Sequence, residues 1–282
     1  MFFKLSKPRG ISSFIAIKKF AKELNIKKIG HAGTLDPLAE GLLIVATDFD
    51  TKLLSFITHD DKEYYVKAYL NKSSASFDEG TEIRNLENKH IKESELKDAL
   101  EYIKNQEKQT PPIFSAKKIN GVRSYKLARE NREITLKDQK IKIHWINLIQ
   151  FDYEEQSFTV EIKVSKGTYI RSLIHDIGIY LNTDACVNIL KRTKIGSISL
   201  ENIKKYSEIT NLHELFNVSF YMLDKSNLAL IEKNNSMQLV KLIAPKQNTF
   251  ITYKNKIMGY ILVEDEKIKL IKIFSNRVNE VR

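Results

Sequence analysis

Among its 282 residues the chain has a single cysteine, Cys186. One thiol excludes an internal disulfide and any zinc cage built from cysteines. The six histidines (His31, His59, His90, His144, His175, His213) are scattered, and none pairs at metal-ligand spacing. There is no GxxxxGK(S/T) phosphate loop and no GxGxxG fingerprint, so nucleotide-fuelled and nicotinamide-dependent chemistry lack their usual signatures. No apolar run approaches the roughly 20 residues that span a bilayer. The opening Met1-Phe2-Phe3-Lys4 lacks the apolar core of a secretory signal. Repeats, low-complexity tracts and Gly/Ser linkers are missing as well. The expectation is a cytoplasmic protein with no cofactor, no metal and no membrane partner.

What is present is positive charge. Lys and Arg total 46 against 35 Asp and Glu, a net of +11. Such a surplus attracts phosphate backbones over a Debye length of about 10 Å. A lysine-rich composition of no special purpose gives the same number, so charge alone leaves both open. The length suffices for one large domain with a small appendage.

The pattern along the chain predicts an opening strand over Met1 to Lys7, stopped by Pro8-Arg9-Gly10. Ser12 or Ser13 then caps a helix with apolar positions Phe14, Ile17, Ala21 and Leu24. Leu42 to Thr47 reads as a buried strand, Thr51 to Ile57 as a short helix, and Tyr64 to Leu70 as a two-faced strand. Glu93 to Lys104 is an amphipathic helix bearing Leu96, Leu100 and Ile103. Pro111-Pro112 leaves an extended path, Asn120-Gly121 a turn, and Tyr125 to Glu130 a helix. Lys140 to Phe151 and Ser157 to Val164 read as strands. Ser165 to Arg171 opens a helix with Ile170, Leu173, Ile174, Ile177 and Leu181 on one stripe. Arg171 lies about 100° off that stripe and need not be buried with it. From Leu223 the texture turns to short β-like runs at Met237 to Ile243, Thr249 to Tyr253, Ile257 to Val263 and Lys267 to Phe274. Residues 223–282 hold eleven Lys/Arg against six Asp/Glu. No regular βαβ rhythm occurs, which favours α+β with a mixed, mainly antiparallel sheet flanked by helices. The division expected is 1–222 and a small basic β-rich domain at 223–282.

The most informative stretch is Gly30-His31-Ala32-Gly33-Thr34-Leu35-Asp36-Pro37-Leu38-Ala39-Glu40-Gly41. Gly and Pro fix a backbone path that ordinary residues resist, and here they crowd one carboxylate, Asp36. Lysines 27 and 28 flank it on the basic side. By default an Asp before Pro is a turn residue, Tyr64 a core residue and Arg171 a solvated or helix-associated charge.

That stretch resembles the catalytic-aspartate motif of the TruB family of tRNA pseudouridine synthases. Further likenesses follow in the family's order. Lys7-Pro8-Arg9-Gly10-Ile11-Ser12-Ser13 resembles its opening segment, and Lys62-Glu63-Tyr64 its K-x-Y motif. Pro111 to Lys118, continuing through Gly121, Tyr125 and Ala128-Arg129, resembles its PPxxSAxK segment. Ser165-Lys166-Gly167-Thr168-Tyr169-Ile170-Arg171 resembles its SKGTYIR motif, and Leu190-Lys191-Arg192 its leucine–basic–arginine element. The likeness covers roughly residues 1 to 200, with a looser one to a PUA-like RNA-binding domain in the tail. Ala32 and Glu40 depart from the family, which often has Thr at both positions.

The resemblance implies an isomerase acting on the T-loop uridine at conventional position fifty-five of tRNA. Product and substrate are isomers, so no redox cofactor, metal or nucleotide is needed. Asp36 would be the carboxylate that works on the extruded uridine. A carboxylate ionises with difficulty in a dry pocket, and a guanidinium counters that cost; Arg171 matches the family's motif arginine. Tyr64 would stack on the base and help remove the C5 proton. Substrate contacts implied are His31, Gly33, Leu35, Tyr169, Leu190, Lys7, Lys117 and Arg192, with Lys18, Lys19, Lys22, Lys27 and Lys28 toward phosphates. The partner expected is the T-loop and T-stem of tRNA, bound by a monomer. The rival classes are an RNA-binding module without chemistry and an N-glycosidic hydrolase, whose product would be free uracil.

Overall fold

Alternating and continuous apolar runs become the strands of one sheet. A computed structural model describes residues 1–57, 61–87, 89–115, 117–119, 121–130 and 136–281. Its strands include β1 (Phe2–Lys7), β2 (Ile29–Ala32), β3 (Glu40–Thr47), β4 (Lys62–Leu70), β5 (Lys108–Gln109), β6 (Gln139–Lys140), β7 (Ile143–Asp152), β8 (Ser157–Val164), β9 (Ala185–Ile195), β10 (Ile198–Ser199) and β11 (Tyr206–Ile209). Nine form the main sheet, in the order β7-β8-β4-β9-β3-β1-β11, with β2 also on β3 and β10 on β9. Among the described residues of this sheet only the β9–β3 pair is parallel, so the sheet is mixed and mainly antiparallel, as expected. Strands β5 and β6 pair with each other alone. His59, Ala116 and Asn120 lie outside the described residues, as do the side chains of Lys118, Tyr125 and Arg129.

Three helices cover this sheet: α1 (Ser13–Glu23), α2 (Glu93–Lys104) and α3 (Ile170–Tyr180). The even positions Val66, Ala68, Phe158 and Val160 meet Leu96, Leu100 and Ile103 of α2 and Leu173, Ile174 and Ile177 of α3. Helix α1 lays Ala16, Ile17 and Phe20 on Phe3, Leu5, Leu43 and Val45. Ser12 is its N-cap, accepting from the Ile15 amide at 3.2 Å. Phe14, expected on the buried stripe, is exposed. The inward place in that first turn belongs to Ser13, whose hydroxyl is tied to another segment. The strand expected over Lys140 to Phe151 breaks into β6 and β7, because the Ile141 amide bonds the Glu107 carbonyl at 2.9 Å.

The C-terminal sheet runs β12-β13-β14-β15, from β12 (Ser219–Met222), β13 (Thr249–Tyr253), β14 (Lys256–Glu264) and β15 (Lys267–Ile273). Strand β12 lies parallel to β13, so a strand of this sheet precedes the expected boundary at 223. Met237 to Ile243, expected to be β-like, is helical within α4 (Ser236–Ile243). Asn235 caps it by accepting from the Gln238 amide, and Leu239, Val240 and Ile243 turn to the apolar core. Phe250, Ile257 and Phe274 share one core with Phe2, Leu42 and Ile44. Beside it the buried Arg277 guanidinium donates to both Asp50 oxygens at 2.7 and 2.8 Å. The Met1 ammonium reaches the same carboxylate at 2.5 Å.

Candidate active site

Asp36 sits in the loop joining β2 to β3, and that loop is held at nearly every turn. Gly41 has φ +106°, and a Cβ there would lie 2.3 Å from the Arg192 carbonyl. Glycine is what lets β3 run against β9 at this point. Ser13 Oγ accepts from the Leu35 amide at 2.9 Å and donates to the Leu35 carbonyl at 3.0 Å. Lys7 Nζ donates to the carbonyls of Ile11 (2.7 Å), Pro8 (3.0 Å) and Pro37 (3.3 Å). Arg192 donates through Nε to Leu42 O and through Nη2 to Gly33 O, both at 2.8 Å.

Lys7 and Arg192 were expected to touch RNA, yet both are fully buried. Their donors are spent on backbone carbonyls, because a buried charge persists only where it is paired or bonded. They are positioning residues for the aspartate loop. Burial is the main reason the Lys7 ammonium falls to about 8; Asp36 and Glu40 oppose the fall, and Arg192 adds to it.

Arg171 stands at the first turn of α3, the positive end of a helix, where a cation is disfavoured unless compensated. Its place off the apolar stripe did not require it to be buried with the core, but only 3% of it is exposed. Compensation comes from four sides. Its Nε lies 2.9 Å from Asp36 Oδ2 and 3.6 Å from Asp78 Oδ2. Its Nη1 donates to Ser76 O at 2.6 Å, and its Nη2 to Phe114 O at 2.9 Å. Asp78 is itself fixed by Ser76 Oγ at 2.5 Å and the Gly80 amide at 2.9 Å. The Asp36 side chain keeps 36% of its surface, and its Oδ1 has no hydrogen-bond partner among the described residues.

Around this pair opens a cleft of about 270 Å³, lined by Asp36, Tyr64, Tyr169, Arg171, Leu190 and the buried Arg192 among others. Tyr64 comes from β4, opposite Ile162 and Arg192. Tyr169 caps α3, its backbone N–H and C=O both held by the Gln109 amide at 2.8 and 2.9 Å. Burial pushes the Tyr169 phenol up, as does the Asp36 charge, so it stays a proton donor at neutral pH. Gly33 and Leu35 also line the cleft, although Leu35 is buried in the core.

His31 and Lys117 lie outside that lining. The His31 ring shares a hydrogen bond with Thr34 Oγ1 at 3.3 Å. Burial, then the Arg192 charge, holds its imidazole below the usual range, so it is neutral rather than a cation for phosphate. Lys117 Nζ bonds Gln139 Oε1 at 3.3 Å. Asp78, Thr168 and Lys62 belong to the site without having been singled out for it. For Asp78 the signal was a turn-rich Ser74-Ala75-Ser76-Phe77-Asp78-Glu79-Gly80, but no spacing ties it to Arg171.

The fold is the α+β pseudouridine synthase fold. The chain superposes on one solved in a crystal structure of a Cbf5-Nop10-Gar1 complex with TM-score 0.65 and 18% identity, covering 99% of this chain and 80% of that one. A chain solved in an H/ACA RNP bound to a substrate RNA containing 2′-deoxyuridine gives 0.64 and 17%, covering 97% and 84%. Residues 21–170 match the family described as TruB family pseudouridylate synthase (N terminal domain). The tRNA pseudouridine synthase B of Mycoplasma mobile is 38% identical over 283 residues, covering 100% of this chain and 97% of the relative. That of Mycoplasmopsis pulmonis is 38% identical over 282 residues, covering 99% and 97%. This chain belongs to the TruB family of pseudouridine synthases.

Proposed function

We propose that this chain converts the T-loop uridine at position 55 of tRNA to pseudouridine. The observation that carries the chemistry is the 2.9 Å contact between Arg171 Nε and Asp36 Oδ2 in a cleft shared with Tyr64. In the reaction the N1–C1′ bond breaks, a C5–C1′ bond forms, the C5 proton leaves, and N1 gains one. Asp36 supplies the anionic oxygen, held by one edge so that its other oxygen meets the nucleotide. The cleft takes a base only after it leaves its stack, at a cost of a few kcal/mol. Tyr64 and Leu190 form the walls against which the base rests.

Exposed Lys18, Lys19, Lys22, Lys27 and Lys28 meet phosphates of the T-stem, and the basic C-terminal sheet, PUA-like in role, extends that grip. The chain acts as a cytoplasmic monomer, with the nine-stranded sheet and its helices carrying the chemistry and the C-terminal sheet, from Ser219 on, assisting RNA binding. Unmodified tRNA carrying tritium at uridine C5 tests this directly, because isomerisation releases the label to water. Asp36→Asn is expected to abolish release while retaining tRNA affinity, since phosphate contacts dominate binding. Retained turnover by that variant removes Asp36 from the chemistry.

A further inference from the structure

One wall of the cleft continues outward into a surface that the isomerisation does not use. Gln109 holds Tyr169, and the Gln139 amide donates to Gly167 O at 2.7 Å. The next residue toward the outside on β5 is Lys108, and on β6 it is Lys140. The two lysines stand directly opposite each other. A like-charge cross-strand pair costs stability unless an anion lies over it. Lys142 joins them beside a groove of about 500 Å³ that also includes Lys104 and Glu107. Among the described residues Lys108, Lys140 and Lys142 have no ion-pair partner within 4.0 Å, and all three are exposed. Lys104 is paired with Glu101 at 3.2 Å.

The groove runs through Asn105 and Gln106 into a second one of about 460 Å³, lined by Tyr102, Ile103, Asp176, Ile179 and Tyr180. Tyr102 and Tyr180 are 61% and 43% exposed, with ring centroids 4.6 Å apart and planes 30° from parallel. Ile179 beside them is 56% exposed. Two large rings and an isoleucine facing water are an odd ending for helices that are otherwise amphipathic. Asp176 is the acid facing this groove. It accepts from the Gln106 amide at 3.0 Å, and burial raises its carboxyl from the ordinary value. Tyr180 lies nine residues along α3 from Arg171, about 14 Å at 1.5 Å per residue.

We infer that this surface is a second RNA contact, with backbone phosphates over Lys108, Lys140 and Lys142 and an unpaired base stacked on the Tyr102–Tyr180 pair. Lysines fit a phosphate track, and tyrosine faces give sequence-tolerant stacking. Continuity with the cleft through Gln109 and Gln139 places the surface alongside RNA whose uridine occupies the site. The inference rests on RNA being the substrate, as proposed above.

The test measures binding of an unmodified tRNA transcript to the full chain across a range of KCl concentrations. Replacing Lys108, Lys140 and Lys142 together by alanine should make the slope of log affinity against log salt shallower by about 2–3, at 0.7–0.9 per lost phosphate contact. Replacing the same three by arginine should keep the wild-type slope. Tyr102→Ala with Tyr180→Ala should weaken binding about five- to 150-fold, the range for one lost stacked base, with the slope unchanged. Wild-type affinity and slope in the alanine variant would overturn the inference, whatever else the surface holds. Tritium release by the wild type separates the two proposals. Turnover with unaltered variant binding defeats this surface alone. Weakened variant binding without wild-type turnover upholds the surface and defeats the catalytic proposal.

Discussion

Replacing Arg171 tests the centre of the site most sharply. Its guanidinium reaches two carboxylates and two carbonyls on three separate segments. A lysine ammonium is a point charge and cannot span them. Arg171→Lys should therefore lose about two charge-assisted hydrogen bonds, at roughly 1.5–3 kcal/mol each, partly recovered by water. The net expectation is about 2–4 kcal/mol of stability. Arg171→Leu leaves the buried Asp78 and the half-buried Asp36 carboxylates uncompensated and should cost about 3–5 kcal/mol. At roughly 2–4 °C per kcal/mol, calorimetry should find the leucine variant melting about 6–20 °C lower. Tritium release at saturating tRNA should fall about 100-fold or more, the usual scale for losing one electrostatic contact to reacting atoms. The decisive reading is a change of sign. Asp36→Asn should cost about 1 kcal/mol in the wild type, where it removes a pair, in line with hydrogen bonds of this kind. In the Arg171→Leu background it should stabilise, because it removes an unpaired charge. A leucine variant that melts within a degree of the wild type and keeps its turnover would refute the reasoning.

Two further expectations concern pH. Lys7 titrates near 8 in the folded chain against 10.5 ordinarily, so between those values the unfolded chain holds a proton that the folded one has released. Stability should therefore rise with pH across that window, by about 1–2 kcal/mol between pH 7.5 and 9.5 relative to Lys7→Met; parallel urea-unfolding curves for the two proteins would contradict it. For Asp50, burial pushes the carboxyl up, but the Arg277 guanidinium and the Met1 ammonium outweigh it and hold it low. Its contribution is present above the ordinary value of 3.8 and is lost as pH falls through the lower folded value. Asp50→Asn should flatten the acid limb of the unfolding profile, and a limb as steep as the wild type would show that the latch between the two sheets carries no such linkage.

Much of the architecture was readable because it rests on local rules. The alternation Tyr64, Val66, Ala68, Leu70 faces the helices as period two demands, and Glu93 to Lys104 is helical over the whole predicted span. The aspartate loop was legible from its glycines and Pro37, since backbone chemistry there is written in residue type. Most of the errors come from partners distant in sequence. Arg171 is buried by carbonyls 95 and 57 residues away, at Ser76 and Phe114, and no helical projection contains them. Lys7 and Arg192 read as surface charges because that is their default; the carbonyls that bury them belong to a loop whose closure is tertiary. Val240 and Ile243 suggested a strand, but the Asn235 cap and the core under Leu239 decided for helix. Strand β12 was not picked out in the sequence, because its parallel partner lies 30 residues downstream.

The division of labour among the buried cations explains how an acid can be held rigidly and still be available. Lys7 and Arg192 make no hydrogen bond to Asp36; they bind the carbonyls of Gly33, Pro37 and Leu42 and so fix the loop that carries it. Among the described residues Arg171 alone meets the carboxylate, through Nε, because both of its terminal nitrogens are committed to backbone oxygens. If those nitrogens were free, a two-point clasp would occupy both Asp36 oxygens and leave none for a substrate. Ser76 and Phe114 therefore act on the chemistry at one remove: by occupying the ends of the guanidinium they restrict it to a single edge contact. Asp78 completes the arrangement by balancing charge from the far side, at 3.6 Å against the 2.9 Å of Asp36. The longer contact keeps Asp36 the preferred partner while sparing it from neutralising the arginine alone.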